Sequence, residues 1–200
     1  MAGSSPLDPF IPRFDARERY AIRVRAPAAL VQQVARDFDM QSVPLVRAII
    51  RAREIVMGGA PSARRPRGLM EELTSMGWGI LRDEPGRLLA CGAACQPWLA
   101  RVIFTPVPAE RFAAHAEPGQ VRIAWTLETR ELGEALTELI SETRVVANDE
   151  ASRRRFLAYW RWARFGIIPI RWLLLPAVAR KATAAFQSAP RTPSGSSGSS

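Results

Sequence analysis

The 200-residue chain has two cysteines and one histidine, and this scarcity excludes several kinds of site. A zinc site of thiolates and imidazoles needs more ligands than Cys91, Cys95 and His115 supply. The cysteines stand four positions apart in an apolar, strand-like run, about 13 Å at roughly 3.3 Å per residue, which is too far for a disulfide. We therefore expect two reduced, buried thiols, no metal, no cofactor and a cytoplasmic location.

The chain also lacks an uninterrupted apolar run that is long enough to cross a membrane. Its longest apolar stretch, residues 165–179, contains Arg171, Pro169 and Pro176. It is shorter than the ~20 residues that a spanning helix needs. The N-terminus has no basic segment followed by an apolar one, so the sequence predicts no signal peptide. We expect the stretch to cover a soluble core; the alternative is a helix that lies flat on a membrane.

Lysine is almost absent, because Lys181 is the only one, and arginine carries nearly all of the positive charge. The 28 basic and 19 acidic residues give a net charge of +9. Such a charge suits a nucleic acid or an anionic membrane as partner, although a compositional bias toward arginine explains it as well. We keep weak membrane association as an alternative and do not expect nucleic acid binding. The basic residues concerned are Arg64, Arg65, Arg67 and the cluster Arg153–Arg155.

The composition, 48% hydrophobic and 24% charged, is typical of a folded protein of one domain. Ends rich in Pro, Ser and Gly predict flexible tails over residues 1–13 and 187–200, around a single domain over residues 14–186. The periodicity predicts a strand over residues 17–25, then two helices and an exposed loop over residues 60–68. Antiparallel strands and a long C-terminal helix follow, and this order is typical of an α+β fold.

The second half of the chain carries clearer local signals. Pro85 and Gly86 suit the central positions of a type II turn, which predicts a hairpin. Residues 96–116 fit neither a strand nor a helix well. Residues 135–147 alternate along a strand, and Asp149 caps the final helix, which kinks at Gly166 and Pro169. One side of that strand carries Leu139, Ser141, Thr143 and Val145, and the other carries Ile140, Glu142 and Arg144. The helix is expected to direct four side chains toward the core: Phe156, Tyr159, Trp160 and Ala163.

Several of these segments resemble one protein family. They are Gly77-Trp78 at the start of a strand, the turn DEPGR over 83–87, the strand SETRV over 141–145, and RRFLAYW over 154–160. Together they resemble an uncharacterised bacterial branch of the START-like, helix-grip superfamily, also called SRPBCC or polyketide cyclase/dehydrase-like. The resemblance implies a curved antiparallel sheet around a long C-terminal helix, with two helices after the first strand. It also implies a cavity for a lipid, polyketide or similar small molecule.

The candidate cavity residues are aromatic or charged. Glu142 and Arg144 lie two apart on one strand and share a face. They form either a structural ion pair or a site where Arg144 fixes a ligand carboxylate or carbonyl and Glu142 acts as a base. His115 either moves a proton or lies in an exposed loop. The tryptophans fill the core or line the cavity wall. The full candidate set is Trp78, Trp98, His115, Trp125, Glu142, Arg144, Tyr159 and Trp160, and no catalytic residue is assigned.

These patterns favour a carrier or sensor that binds a hydrophobic small molecule without turning it over. The first alternative is a small cyclase- or dehydratase-type enzyme in the same cavity, in which Arg144 polarises a carbonyl and Glu142 or His115 moves a proton. The second is a basic-surface protein that associates with an anionic membrane or nucleic acid, in part through the C-terminal apolar helix.

Overall fold

The computed structural model describes residues 4–56 and 68–189. Most of the predicted basic loop, with Arg64, Arg65 and Arg67, lies outside the described residues, as does residue 190 onward in the predicted C-terminal tail. Ten helices and strands are described over these ranges, together with a short 3-10 turn at Met40–Ser42. In chain order they are β1 (Ala16–Val24), α1 (Ala28–Arg36), α2 (Pro44–Val56), α3 (Leu69–Ser75), β2 (Gly79–Glu84), β3 (Leu88–Cys95), α4 (Ala109–Phe112), β4 (Val121–Gly133), β5 (Leu136–Ala147) and α5 (Glu150–Ser188).

The five strands form one antiparallel sheet in the order β1-β5-β4-β3-β2. One face of this sheet packs against α1, α3 and the long helix α5. Helices α1 and α2 follow the first strand, and α5 closes the fold. The predicted α+β, helix-grip arrangement is therefore confirmed.

The alternation along β5 separates two faces of the sheet, as the sequence predicts. Leu139, Ser141, Thr143 and Val145 face α5, and this face is called the inner face below. Ile140, Glu142 and Arg144 point to the other, outer face, where they are also buried. Because both faces are covered, β3 between them is buried along its whole length.

The predicted turns and caps are confirmed. Gly86 has a φ of +80°, and the Arg87 amide donates to the Glu84 carbonyl at 3.0 Å, which fits a type II turn. The Asp149 carboxylate accepts a hydrogen bond from the Ser152 amide at 2.8 Å and caps α5. The helix bends by 42° between Glu150–Gly166 and Ile168–Ser188. Neither half, nor any other single described helix, is long and apolar enough to span a bilayer, although the bent pair taken together meets that test.

The N-terminal segment differs from its prediction. Leu7 and Ile11 are 0% and 1% exposed and pack on the outer face with Phe112 of α4. Residues 5–13 are thus part of the fold rather than a flexible tail, because two apolar side chains among the prolines and polar residues find a hydrophobic surface. In α2, Leu45 is 55% exposed, whereas the neighbouring Val46 is fully buried.

Candidate functional site

A cavity of about 430 Å³ lies between the inner face of the sheet and α5. Strands β1, β3, β4 and β5 form its floor, the segment after β3 and helices α1 and α3 close its sides, and α5 forms its roof. Its wall is mainly aliphatic and aromatic. The lining residues are Glu18, Ala35, Phe38, Met40, Leu69, Leu73, Met76, Trp78, Cys95, Pro97, Val102, Phe104, Val121, Ile123, Trp125, Leu127, Leu139, Ser141, Thr143, Val145, Phe156, Tyr159, Trp160, Ile170, Arg171, Leu174, Leu175 and Val178.

Four of the predicted site residues line this cavity: Trp78, Trp125, Tyr159 and Trp160. Trp78 stacks on Phe104, with ring centroids 5.0 Å apart, and Trp160 stacks on Phe156 at 5.9 Å. The indole N–H of Trp125 donates to Ser141 Oγ at 2.7 Å, whereas Trp78 Nε1 has no hydrogen-bond partner among the described residues. Aromatic rings thus supply much of the wall and leave one buried donor unsatisfied.

Trp98 and His115 do not line the cavity. Trp98 is partly buried and packs beside the cavity, against the hydrophobic cluster that includes Phe156. His115 follows α4, and its Nε2 lies 3.9 Å from the Glu117 carboxylate. Residues 96–116 gave no clear pattern in the sequence, which is why these two positions could not be placed beforehand.

Glu142 and Arg144 lie on the outer face of the sheet, away from the cavity. Arg144 Nε donates to Glu142 Oε1 at 2.7 Å, and both side chains are almost completely buried. The prediction that Arg144 holds a ligand inside the cavity is therefore wrong, and the structural ion pair is confirmed. The reason is that side chains alternate between the two faces of a strand. Because Thr143 points inward, its neighbours Glu142 and Arg144 point outward.

This ion pair holds the N-terminal segment on the sheet. Arg144 also donates to the Ile11 carbonyl and to the Asp8 carboxylate, each at 2.8 Å, and Arg17 donates to Glu142 at 2.9 Å. Burial alone would raise the pKa of Glu142, but hydrogen bonds from Arg17 and Arg144 outweigh it and lower that pKa below its ordinary value. The hydrogen bond from Arg144 likewise lowers the pKa of Asp8.

Among the described residues, the charged groups that line the cavity are Glu18 and Arg171, and the predicted site residues include neither. Arg171 lies on α5 beyond the bend, and its guanidinium donates to Thr143 Oγ1. Burial lowers the pKa of Arg171 to about 10, and the charge of Glu18 opposes this shift. The available signal was an arginine inside the longest apolar stretch of the chain, and the sequence analysis gave this arginine no role in the cavity.

The two cysteines are buried on the inner face without a disulfide between them, and Cys95 lines the cavity. Burial raises the pKa of Cys91 to about 12, so this thiol is protonated at neutral pH and is a poor nucleophile. Within residues 4–56 and 68–189, no three His, Cys, Asp or Glu side chains are grouped to hold a metal ion.

The chain matches no protein-family model and no curated protein. Among solved structures it is similar to a conserved protein from Geobacillus kaustophilus, with 11% identity over 83% of this chain and 97% of that one and a TM-score of 0.37. It is also similar to an aromatase/cyclase from Streptomyces sp. R1128, with 13% identity over 85% of this chain and 97% of that one and a TM-score of 0.33. A third similar structure, of a protein from Deinococcus radiodurans, has 17% identity over 76% of this chain and 99% of that one and a TM-score of 0.33. These values are too low to support an inference about activity, so the fold rests on the strands and helices themselves.

Proposed function

We propose that the protein binds one apolar small molecule in the cavity between the sheet and α5, as a carrier or sensor that does not transform it. The observation that carries this proposal is the cavity itself, with its volume of about 430 Å³ and its mainly hydrophobic wall. Pockets for small organic ligands span about 300–1,000 Å³ and are lined mostly by apolar and aromatic side chains. Membership of the START-like superfamily is part of the same proposal.

The volume also limits the size of the ligand. An apolar cavity of about 150 Å³ is enough to hold benzene. A cavity of about 430 Å³ therefore suits a molecule of roughly three times that size, such as a few fused rings or a medium-length chain.

The cyclase-type alternative is less well supported. It assigned the chemistry to Arg144, Glu142 and His115, and none of these side chains lines the cavity. General acid–base catalysis requires a group within hydrogen-bond reach of the reacting atom, so these three cannot act on a molecule held there. The cavity therefore gives no support to the cyclase-type chemistry predicted from the sequence, and binding is the function that we propose.

The test begins with the purified full chain, extracted with organic solvent and analysed by mass spectrometry, and then titrated with Nile red, an uncharged dye. We expect one extracted compound, or saturable dye binding with one site per chain. Ile123→Trp places a large ring in the cavity wall and should abolish dye binding, whereas Ile103→Trp adds the same ring at an exposed site and should not. Melting curves establish that both variants fold, and Ile170→Trp replaces Ile123→Trp if the latter does not. No extract and no saturable dye binding would contradict the proposal.

A second candidate function is association with an anionic membrane, and the outer side of α5 favours it. Trp162, Phe165 and Trp172 are 76%, 66% and 58% exposed. The spacing of three residues places Trp162 and Phe165 on one side of α5, and Trp172 follows beyond the bend. Arg154, Arg155 and Arg161 are exposed on the same helix and have no ion-pair partner in the described part of the chain. Exposed aromatic rings flanked by arginines suit the headgroup region of an anionic bilayer.

Flotation with vesicles separates this candidate from nucleic acid binding. We expect the protein to float with phosphatidylcholine vesicles that contain phosphatidylglycerol, less at high salt, and not with phosphatidylcholine alone. Replacing Trp162, Phe165 and Trp172 by Ser should remove flotation, whereas Ile103→Ser should leave it unchanged. Membrane association would be contradicted if the triple variant floated as well as the parent protein, or if the parent bound duplex DNA and did not float with vesicles.

A further inference from the structure

One cationic side chain reaches the otherwise apolar cavity from α5. Arg171 is the cation among the lining residues that the structure describes, and it donates a hydrogen bond to Thr143 on the floor of the cavity. Thr143 pairs with Glu18 on β1 and with Trp125 on β4, so these three residues form one row across the inner face of the sheet. The guanidinium therefore lies above a defined position on the floor of the cavity, in the row that includes Glu18.

The charge of Arg171 is only partly compensated by the protein. Within the described residues no carboxylate lies within 4.0 Å of its guanidinium, so the influence of Glu18 acts over a longer distance. A guanidinium has five N–H donors, and Thr143 Oγ1 is the one acceptor that the described residues provide. Because a buried charge is costly unless it is paired, this arrangement favours an anionic group from outside the chain.

We propose that Arg171 is the anion-binding group of the cavity and that the ligand is an apolar carboxylic acid with one charge. This proposal rests on the proposed function and gives its ligand a chemical class. The carboxylate binds the free N–H donors of Arg171, where bidentate hydrogen bonds match the geometry of both groups. The apolar body of the ligand lies against the aromatic wall, which includes Trp78 and Trp160.

Glu18 gives the proposal a second, opposite prediction. Its carboxylate lines the same cavity and has the same charge as the ligand, so it opposes the binding of an anion. Removing this charge should strengthen the binding of an acid, whereas removing Arg171 should weaken it. A merely structural role for the two residues would not produce opposite effects that depend on the charge of the ligand.

The experiment compares acids with their uncharged primary amides. Decanoic acid and decanamide, and 2-naphthoic acid and 2-naphthamide, compete with Nile red for the full-length protein at neutral pH. We expect each acid to bind about 10-fold more tightly than its amide, the size expected of a hydrogen bond between charged groups. Arg171→Met should remove this preference, because it weakens acid binding more than amide binding, and Glu18→Gln should increase the preference. Arg180→Met, a surface arginine on the same helix, is the matched control and should change nothing.

The outcomes separate this inference from the proposed function. If the protein binds the dye and the amides but shows no preference for the acids, Arg171 is not an anion site and the apolar cavity remains. If the protein yields no extracted compound and binds none of the probes, both proposals fail. If Arg171→Met does not fold, Arg171→Gln replaces it and is compared with Glu18→Gln in the same way. An acid preference that survives in Arg171→Gln would overturn the inference.

Discussion

Arg144 Nε donates a hydrogen bond to Glu142 Oε1 at 2.7 Å, on the face of the sheet opposite the cavity. Both side chains belong to β5 and are covered by the N-terminal segment, to which Arg144 bonds at Ile11 and Asp8. The pair thus fastens residues outside the sheet to its central strands, and this relationship gives the first prediction.

Glu142→Gln should destabilise the protein by about 3 kcal/mol, because Arg144 then keeps a buried charge without its nearest counter-ion. The free energy of unfolding in urea measures the effect. Glu128→Gln is the control, since it removes an ion pair with Arg130, which is 54% exposed, and should cost less than about 1 kcal/mol. If the two substitutions lowered the free energy of unfolding equally, burial would not increase the contribution of the Glu142–Arg144 ion pair to stability.

The β5 strand shows how far sequence reasoning reaches. Alternation correctly divides its residues between two faces, but alternation gives a period and does not say which face meets α5. The sequence therefore predicted the grouping of Glu142 with Arg144 and misplaced both relative to the cavity. Thr143, a neutral residue between two charged ones, gave no sign that it would meet Arg171. Local patterns predicted where α5 bends, at Gly166 and Pro169, but they do not encode the direction in which the helix continues, and the contact depends on that direction.

The second prediction concerns the N-terminal segment. Leu7→Ala should cost about 2–4 kcal/mol, because it removes a fully buried side chain from the outer hydrophobic cluster. A truly flexible tail would tolerate the change with no measurable effect on the urea midpoint. Leu132→Ala, at a side chain that is 44% exposed, is the control and should change stability by less than about 0.5 kcal/mol.

The third prediction concerns the pH dependence of the cap of α5. Hydrogen bonds from Ser152 and Gly119 lower the pKa of Asp149 from 3.8 to about 2. A lowered acid pKa stabilises the folded state above the unfolded pKa, and this contribution is lost as the pH falls from 3.8 toward 2. Asp149→Ala should therefore lower the melting temperature at neutral pH, and the difference from the parent should shrink as the solution is acidified. A difference that stays constant with pH would mean that the carboxylate charge plays no part.

The fourth prediction concerns Gly92 on β3, which lies against Phe112 of α4 and Leu81 of β2 on the outer face of the sheet. A Cβ at this position would lie 2.6 Å from the Phe112 ring and 2.7 Å from the Leu81 side chain, so one of them must move. Gly92→Ala should therefore cost about 1–3 kcal/mol despite the better strand propensity of alanine. Gly133→Ala is the matched control near the end of β4, where the nearest atom, Leu136 Cβ, is 3.9 Å away. Thermal unfolding of both variants provides the measurement. A stabilised Gly92→Ala variant would show that α4 yields without cost and does not pack tightly on the sheet.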